Sequence, residues 1–379
     1  MTVWDELVGQ ESAVAILSRA VAGQTHAMSH AWLLTGPPGS GRSNAARAFA
    51  AALQCPDAGC GDCSACRTAL SGSHPDVTLV RTEQLSIGVD EVRSLVRRAA
   101  MSPTLGRRQV LVIEDADRIT ERGADALLKA IEEPAPTTVW VLCAPTADDV
   151  VVTIRSRCRR VGLITPSPAA IAALLERRDA IDPHLAAFAA RVAQGHIGRA
   201  RALARDEAAR NRRHEVLALP PDLVNLGACL RAAANIVDAT QAEAQAQTAE
   251  RDAAERAELT EALGFGATGT RPRNAQAAVK ELEDQQKARL KRLQRDALDR
   301  VLTELTAYYR DVLTVQFGAP TDLINSEYRA AISQIASQTS PEQTMRRLDA
   351  ILATRTALET NVAPLLAVEA LMVRLAEKQ

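Results

Sequence analysis

An eight-residue segment rich in glycine, GPPGSGRS at 36–43, limits the folds open to this chain more than any other feature. It follows a short apolar run, HAWLLT at 30–35, and precedes an alanine-rich run, AARAFAAAL at 45–53. This order predicts a strand, a phosphate-binding loop and a helix, because glycines let backbone N–H groups curl around phosphate and the helix N-terminus adds its dipole. A glycine turn without a nucleotide role is disfavoured, since strand and helix lie where the motif requires them.

The loop departs from the pattern G-x-x-x-x-G-K-[ST] at one position, Arg42, where lysine is expected. Lysine is a compact charge that reaches the β- and γ-phosphates, whereas guanidinium is planar and bulkier. We therefore expect ATP binding to be weak or absent and ATP hydrolysis to be impaired. The predicted ATP and Mg²⁺ contacts of the loop are Gly36, Gly39, Gly41, Arg42 and Ser43.

A nucleotide hydrolase of this type needs acidic residues after a second buried strand, and VLVIEDAD at 110–117 supplies them. Glu114 and Asp115 stand in the reverse of the expected Asp-Glu order, so the metal-side arm is longer and the catalytic arm shorter. A misplacement of about 1 Å can cost about a hundredfold in rate. The reversal therefore predicts a second defect in the same site, while Asp117 is interpreted as a solvent-facing residue at the strand end.

Apolar runs and helical stripes alternate along the first 165 residues. The predicted strands are 30–36, 77–80, 109–115 and 138–144, with a helical stripe between the last two at Ala124, Leu127, Leu128 and Ile131. Strands that alternate with helices predict a mostly parallel, three-layer α/β core.

Prolines divide the remainder of the chain. LITPSP at 163–168 predicts the end of the core, and LALPPD at 217–222 predicts a joint into a further helical region, where alanine is abundant. We expect an α/β domain at 1–165, a small helical domain at 166–212 and a larger helical domain at 213–379. In the last, GFGATGTRPR at 264–273 predicts an interruption before a long helix with an apolar stripe at Leu290, Leu293, Ala297, Val301, Leu305, Tyr308 and Val312.

Four of the seven cysteines lie within twelve residues, in the pattern C-x₄-C-x₂-C-x₂-C formed by Cys55, Cys60, Cys63 and Cys66. Four thiolates at this spacing suffice for one closed tetrahedral Zn²⁺ site, which favours a structural over a catalytic metal. Free thiols or redox pairs are the alternative, but no thioredoxin-like context accompanies them.

The charge balance argues against a general nucleic-acid coat. Forty-five basic residues oppose forty-six acidic ones, so the formal net charge is −1 and any DNA contact is expected to be local or indirect. The N-terminal segment MTVWDELVGQESA lacks the pattern of a signal peptide, and no apolar run approaches the length of a membrane helix. The cytoplasm is therefore the expected location, with no membrane partner.

The segment TIRSRC at 153–158 carries two arginines directly after the fourth predicted strand. Arg157, or its neighbour Arg155, is placed to project from the edge of the core, where a guanidinium can stabilise a phosphoryl group in an adjacent subunit. Exposed arginines more often only solvate a surface, so the wider context has to support this interpretation.

Taken together, these motifs resemble the clamp-loader branch of the AAA+ family over almost the whole chain. The resemblance rests on WDELVGQESA, HAWLLTGPPGSGRS, VLVIEDADRI, ADALLKAIEEP, the triplet Ser156-Arg157-Cys158, and the cysteines inserted after the loop helix. It implies a RecA-like α/β P-loop core with an inserted zinc module near 55–66, a helical lid at 166–212 and a helical collar at 213–379 that oligomerises.

The departures resemble the delta-prime type of bacterial DNA polymerase III subunit rather than the gamma or tau motors. Gly198 stands where a sensor arginine is expected, only Thr146 is available as the other sensor, and GSHPDV at 72–77 also resembles this type. The resemblance implies a pentamer with gamma/tau motors and a delta subunit, which loads the sliding clamp on primed DNA while Arg157 reaches a neighbour's ATP. Two alternatives remain open, namely an active ATPase motor and a zinc-dependent nucleic-acid-binding protein.

Overall fold

A computed structural model describes residues 2–24, 26–82, 84, 86–262, 275–360 and 362–377 of the 379-residue chain. The predicted interruption at 264–273 lies outside these residues. The chain divides into two compact units, Met1–Arg205 and Asp206–Gln379. The division into three domains at 165 and 212 stays a prediction.

The first unit is built on a parallel sheet of five strands in the order β2-β3-β4-β1-β5. The strands are β1 (Ala31–Thr35), β2 (Val77–Val80), β3 (Gln109–Ile113), β4 (Thr138–Ala144) and β5 (Arg159–Gly162). Every residue of β3 and β4 is buried, as expected of a parallel sheet covered on both faces. The prediction of a mainly parallel α/β core is confirmed.

The edge strand β5 was not predicted, because its sequence Arg-Arg-Val-Gly offers a single large apolar side chain. Arg159 instead anchors this edge, where it donates to the carbonyl oxygens of His26 and Ala27 at 3.0 and 2.5 Å. Its guanidinium also lies 5.3 Å from the ring centre of the buried Trp32. Charged side chains of this kind protect a sheet edge from pairing with another strand.

Helices cover both faces of the sheet and add a small helical group at the end of the unit. They are α1 (Glu11–Val21), α2 (Arg42–Gln54), α3 (Ser64–Ser71), α4 (Val89–Ala99), α5 (Glu121–Glu132), α6 (Val152–Arg155), α7 (Pro168–Asp179), α8 (Pro183–Val192) and α9 (Ile197–Arg205). Helices α1 and α2 share one apolar cluster with the sheet, and α4 and α5 share a second. Two cores therefore enclose the sheet, as the three-layer prediction requires.

The second unit is helical throughout its described elements. It contains α10 (Glu207–Asp222), α11 (Leu226–Ala262), α12 (Ala275–Gln316), a 3-10 turn at Ser326–Tyr328, α13 (Arg329–Gln338), α14 (Pro341–Glu359) and α15 (Pro364–Ala376). Of the predicted stripe on α12, Ala297, Leu305, Tyr308 and Val312 are buried, and Leu290, Leu293 and Val301 are half-buried.

The predicted joint at 217–222 is not a break in the helix. Helix α10 continues to Asp222 although Pro220 and Pro221, in its last turn, lack the N–H groups that would bond the carbonyls of residues 216 and 217. Leu217, inside the same segment, is fully buried in the core of the second unit.

Polar contacts rather than apolar packing join part of α11 to α12. Arg289 donates to Asp252 at 2.6 Å and to Glu255 at 2.9 Å, and Gln286 bonds the carbonyl of Asp252 at 3.0 Å. Hydrogen bonds from Arg289 lower the pKa of Glu255 to about 2. The packing of α11 against α12 therefore depends partly on ionised carboxylates.

No helix among the described residues combines the length and the apolar character needed to cross a membrane.

Candidate functional site

The phosphate-binding loop lies where the sequence predicts it, between the end of β1 and the start of α2. Gly39 and Gly41 have φ angles of 81° and 93°, a left-handed conformation that strains other residues. The N–H of Gly36 bonds the carbonyl of Pro145 at 3.1 Å, which ties the loop to the end of β4. Ser43 is the second residue of α2. The backbone shape of a phosphate loop is thus present.

Arg42 is turned toward its own loop. Its Nη1 donates to the carbonyl oxygen of Gly36 at 2.8 Å, so the side chain connects the two ends of the glycine segment. In this chain the cation at the lysine position stabilises the loop itself.

The acidic pair follows β3, as predicted, but Glu114 already has a partner. This buried carboxylate accepts from Nε and Nη2 of Arg47 at 2.9 and 2.7 Å. Arg47 was missed from the sequence, although it is the only charged side chain within AARAFAAAL. Asp115 is half-buried and precedes a 3-10 turn at Ala116–Arg118. A carboxylate neutralised by arginine is a poor metal ligand or general base.

Several charges act on one another around these residues. Asp117 is exposed, as predicted, but partial desolvation raises its pKa, and the charge of Asp115 raises it further, while Arg42 opposes the shift. Burial raises the pKa of the Cys143 thiol, and the carboxylate of Glu114 adds to this effect. The Sγ atom of Cys143 lies 3.8 Å from the carbonyl oxygen of Arg42, the first residue of α2.

A second segment of the first unit lies directly against the loop. A Cβ atom added to Gly39 would stand 2.3 Å from the ring of His196, and the N–H of Ile197 points to the Gly39 carbonyl at 3.4 Å. Desolvation lowers the pKa of His196, and the charges of Arg199 and Arg42 lower it further. His196 was not predicted as a site residue, because its contact with Gly39 joins distant parts of the chain.

Gln10 connects the loop to the segment after β5. Its Nε2 donates to the carbonyls of Ser40 and Ile164 at 3.2 and 2.8 Å, and its Oε1 accepts from the N–H of Ile164 at 3.0 Å. The two predicted sensor positions, Gly198 and Thr146, lie in different surroundings. Gly198 lies in the first turn of α9, and the hydroxyl of Thr146 donates to Asp149 at 2.9 Å.

Arg157 lies on the surface in the turn between α6 and β5, as the motif predicts. Its Nη2 is 2.6 Å from Oε1 of Glu132, and both side chains are 40% exposed. Its Nη1 donates to the carbonyl of Thr153 at 2.7 Å. The adjacent Arg155 pairs instead with Asp148. The role of Arg157 in a neighbouring subunit stays a prediction.

The structure brings the four clustered cysteines together, with all four Sγ atoms within 4.8 Å of one another. Cys55 Sγ lies 3.6 Å from that of Cys60 and 3.8 Å from that of Cys63, and none is in a disulfide. Four sulfurs around a tetrahedral Zn²⁺ at about 2.3 Å are about 3.8 Å apart. The cluster therefore fits a closed metal site.

The surroundings of the sulfurs also fit a thiolate centre. Burial acts to raise the pKa of Cys55, but N–H groups of Cys60, Gly59 and Asp57 point at its sulfur and bring the pKa to about 6. Burial raises the pKa of Cys66. The N–H of Cys66 also bonds Sγ of Cys63 at 3.4 Å, at the start of α3.

Two family models match the chain. A model described as DNA polymerase III, delta subunit, matches residues 9–167, and a model of the C-terminal part of the delta subunit matches residues 275–377. Together they account for more than half of the residues.

Named relatives agree with these matches. The chain is 40% identical to the DNA polymerase III subunit delta' of Pseudomonas aeruginosa over 151 residues, which are 38% of this chain and 45% of that protein. It is 35% identical to the subunit gamma/tau of Mycobacterium bovis over 178 residues, 45% of this chain and 30% of that protein. The chain thus spans less than half the length of each of these two relatives.

A crystal structure of a DNA polymerase III gamma subunit-related protein from Thermotoga maritima aligns with a TM-score of 0.44 and 17% identity. The alignment covers 96% of this chain and 98% of that one. On the strength of the two family models and the delta' relatives, this chain belongs to the DNA polymerase III delta-subunit family, with delta' as the subunit type it resembles.

Proposed function

We propose that this chain is a delta-prime-like subunit of a clamp loader, which serves the loading of a sliding clamp on primed DNA during replication. Its partners would be gamma/tau motor subunits and a delta subunit in a pentamer, with DNA contacted through the complex in the cytoplasm. The first unit would be the AAA+ core with its lid, and the second the oligomerising collar. The family matches and the delta' relatives support this assignment.

One observation carries the mechanistic part of the proposal. The buried carboxylate beside the chain's own phosphate loop is paired with Arg47, and Arg42 bonds a carbonyl of the loop, whereas Arg157 lies exposed on the surface. Hydrolysis of ATP needs a cation on the phosphates and free carboxylates for Mg²⁺ and water. Glu114 is not free for Mg²⁺ while it pairs with Arg47, and Arg42 directs one Nη at the carbonyl of Gly36. Arg157 instead would reach a neighbour's ATP and stabilise charge on the transferring phosphoryl group.

The test is an Arg157→Ala variant in a loader reconstituted with the motor and delta subunits of its own organism. The complex should assemble, but turnover at the site that Arg157 faces should fall on the order of 10³-fold, as for other arginine fingers. Arg155→Ala is the matched control, because Arg155 is paired with Asp148 on the same segment. Unchanged DNA-stimulated ATPase activity in the Arg157→Ala complex would sink the trans role.

A second candidate function, an active ATPase motor, is favoured by the preserved loop backbone at Gly39 and Gly41. It predicts Mg²⁺-dependent hydrolysis by the isolated chain, abolished by Ser43→Ala. An inert purified chain would exclude it.

For the cysteine cluster we propose a structural Zn²⁺ held by Cys55, Cys60, Cys63 and Cys66. The sulfur separations and the absence of a disulfide support it. Metal analysis of the purified chain should give one Zn²⁺, and Cys60→Ser should lower that content while Cys158→Ser leaves it unchanged. Four freely titrating thiols in metal-free protein that folds normally would contradict the assignment.

A further inference from the structure

The contacts of Arg157 identify a residue that competes for its guanidinium. Nη2 faces the carboxylate of Glu132 at 2.6 Å, and Nη1 bonds the backbone carbonyl of Thr153 at 2.7 Å. Only the first of these partners carries a charge. An incoming phosphate oxygen can therefore replace Glu132 while the bond to Thr153 continues to hold the side chain in place.

The position of Glu132 in its helix makes this pairing informative. It is the last residue of α5, and Glu133 follows it as the C-cap. Negative charge at a helix C-terminus is unfavourable, because the exposed carbonyl groups already give that end a partial negative charge. Local helix energetics therefore do not explain an acid at this position, whereas pairing with Arg157 does.

The pair is also suited to exchange. Both side chains are 40% exposed, and ion pairs at such sites are weak enough to dissociate readily. The neighbouring arginine is less accessible, since Arg155 is 28% exposed, although each arginine pairs with one carboxylate and bonds one backbone carbonyl. The more accessible arginine is thus the one that pairs with Glu132.

We propose that Glu132 is a positioning residue that holds Arg157 on its own subunit and releases it when a neighbour's triphosphate takes its place. This inference rests on the trans role of Arg157 proposed above. The carboxylate of Glu132 would order the Arg157 side chain before assembly, but it would also oppose the transfer of that side chain to ATP.

The experiment is a double-mutant cycle in the reconstituted loader with ATP and primed DNA. Glu132→Gln keeps the shape of the side chain but removes its charge, and should raise kcat/KM for ATP about two- to fivefold, the strength of an exposed ion pair. In an Arg157→Ala background the same substitution should change nothing. Asp148→Asn, which breaks the adjacent pair, is the control and should leave kcat/KM at the wild-type value.

Three results would overturn the inference. They are an unchanged or lower kcat/KM in Glu132→Gln, an equal change in the Arg157→Ala background, and an equal change in Asp148→Asn. Glu132→Asp, which keeps the charge on a shorter arm, should give an intermediate value and guards against a folding defect in the amide variant. If Arg157→Ala itself leaves turnover unchanged, the proposed function fails and the inference fails with it. If only Glu132→Gln is silent, the inference alone fails.

Discussion

The phosphate loop and the surface segment around Arg157 belong to the same unit but use arginine in opposite ways. At the loop, Arg42 bonds a backbone carbonyl and Arg47 neutralises a buried carboxylate. At the surface, Arg157 pairs with one exposed carboxylate, that of Glu132, and bonds the carbonyl of Thr153. Arg47 and Arg157 are similarly exposed, but Glu114 is 5% and Glu132 40% exposed, so the burial of the carboxylate partner distinguishes the two pairs.

The largest expected effect is on the buried ion pair. Arg47→Ala should lower the free energy of unfolding by about 3 kcal/mol, because it leaves the carboxylate of Glu114 buried without a partner. Urea unfolding of the purified chain measures this. The double variant Arg47→Ala/Glu114→Gln should recover part of the loss, and the exposed Arg122→Ala should show almost none. A loss below about 0.5 kcal/mol in Arg47→Ala would contradict the comparison.

Arg42→Ala should have a smaller effect, about 1 kcal/mol, because it removes one hydrogen bond to the carbonyl of Gly36. Arg42→Lys should not restore ATP hydrolysis, since Glu114 remains paired with Arg47. Unfolding curves and a phosphate-release assay on the isolated chain check the two statements. Hydrolysis by Arg42→Lys alone would mean that the lysine position, and not the acidic pair, limits the site.

The loop region should also respond to pH through His196. Its pKa in the folded chain is lowered, so the unfolded chain binds more protons, and the stability that the neutral ring contributes is complete above pH about 6.5 and is lost as pH falls below it. His196→Gln should reduce the change in stability between pH 7 and pH 5. An identical pH profile for wild type and variant would show that the ring against Gly39 does not control it.

The smallest effect on stability is expected at the surface. Arg157→Ala should change the free energy of unfolding by no more than about 0.5 kcal/mol, because its pair with Glu132 is exposed. The same variant should have the largest effect on turnover of the assembled loader. Denaturant unfolding and steady-state ATPase assays on one preparation would compare both quantities. A stability loss as large as that of Arg47→Ala would show that Arg157 is a structural residue.

The sequence predicted the features that depend on local spacing. The phosphate loop, four of the five strands, the helical second half and the cysteine cluster each follow from neighbours in the chain, through glycine placement, apolar periodicity or a short ligand spacing. Strand β5 was not predicted, because an arginine-rich edge strand carries too few apolar residues to show the apolar pattern of a strand.

Contacts between distant residues were decided by the tertiary structure alone. Arg47 and Glu114 are 67 residues apart in the chain, and the contact of His196 with Gly39 joins still more distant segments. The pairing of Arg157 with Glu132 likewise depends on where α5 ends beside α6. The sequence by itself determined which residue types were available at the loop and at the surface turn. Only the tertiary structure determined which arginines are bound by groups of their own chain. Burial and partner geometry, rather than residue identity, set what a guanidinium can bind.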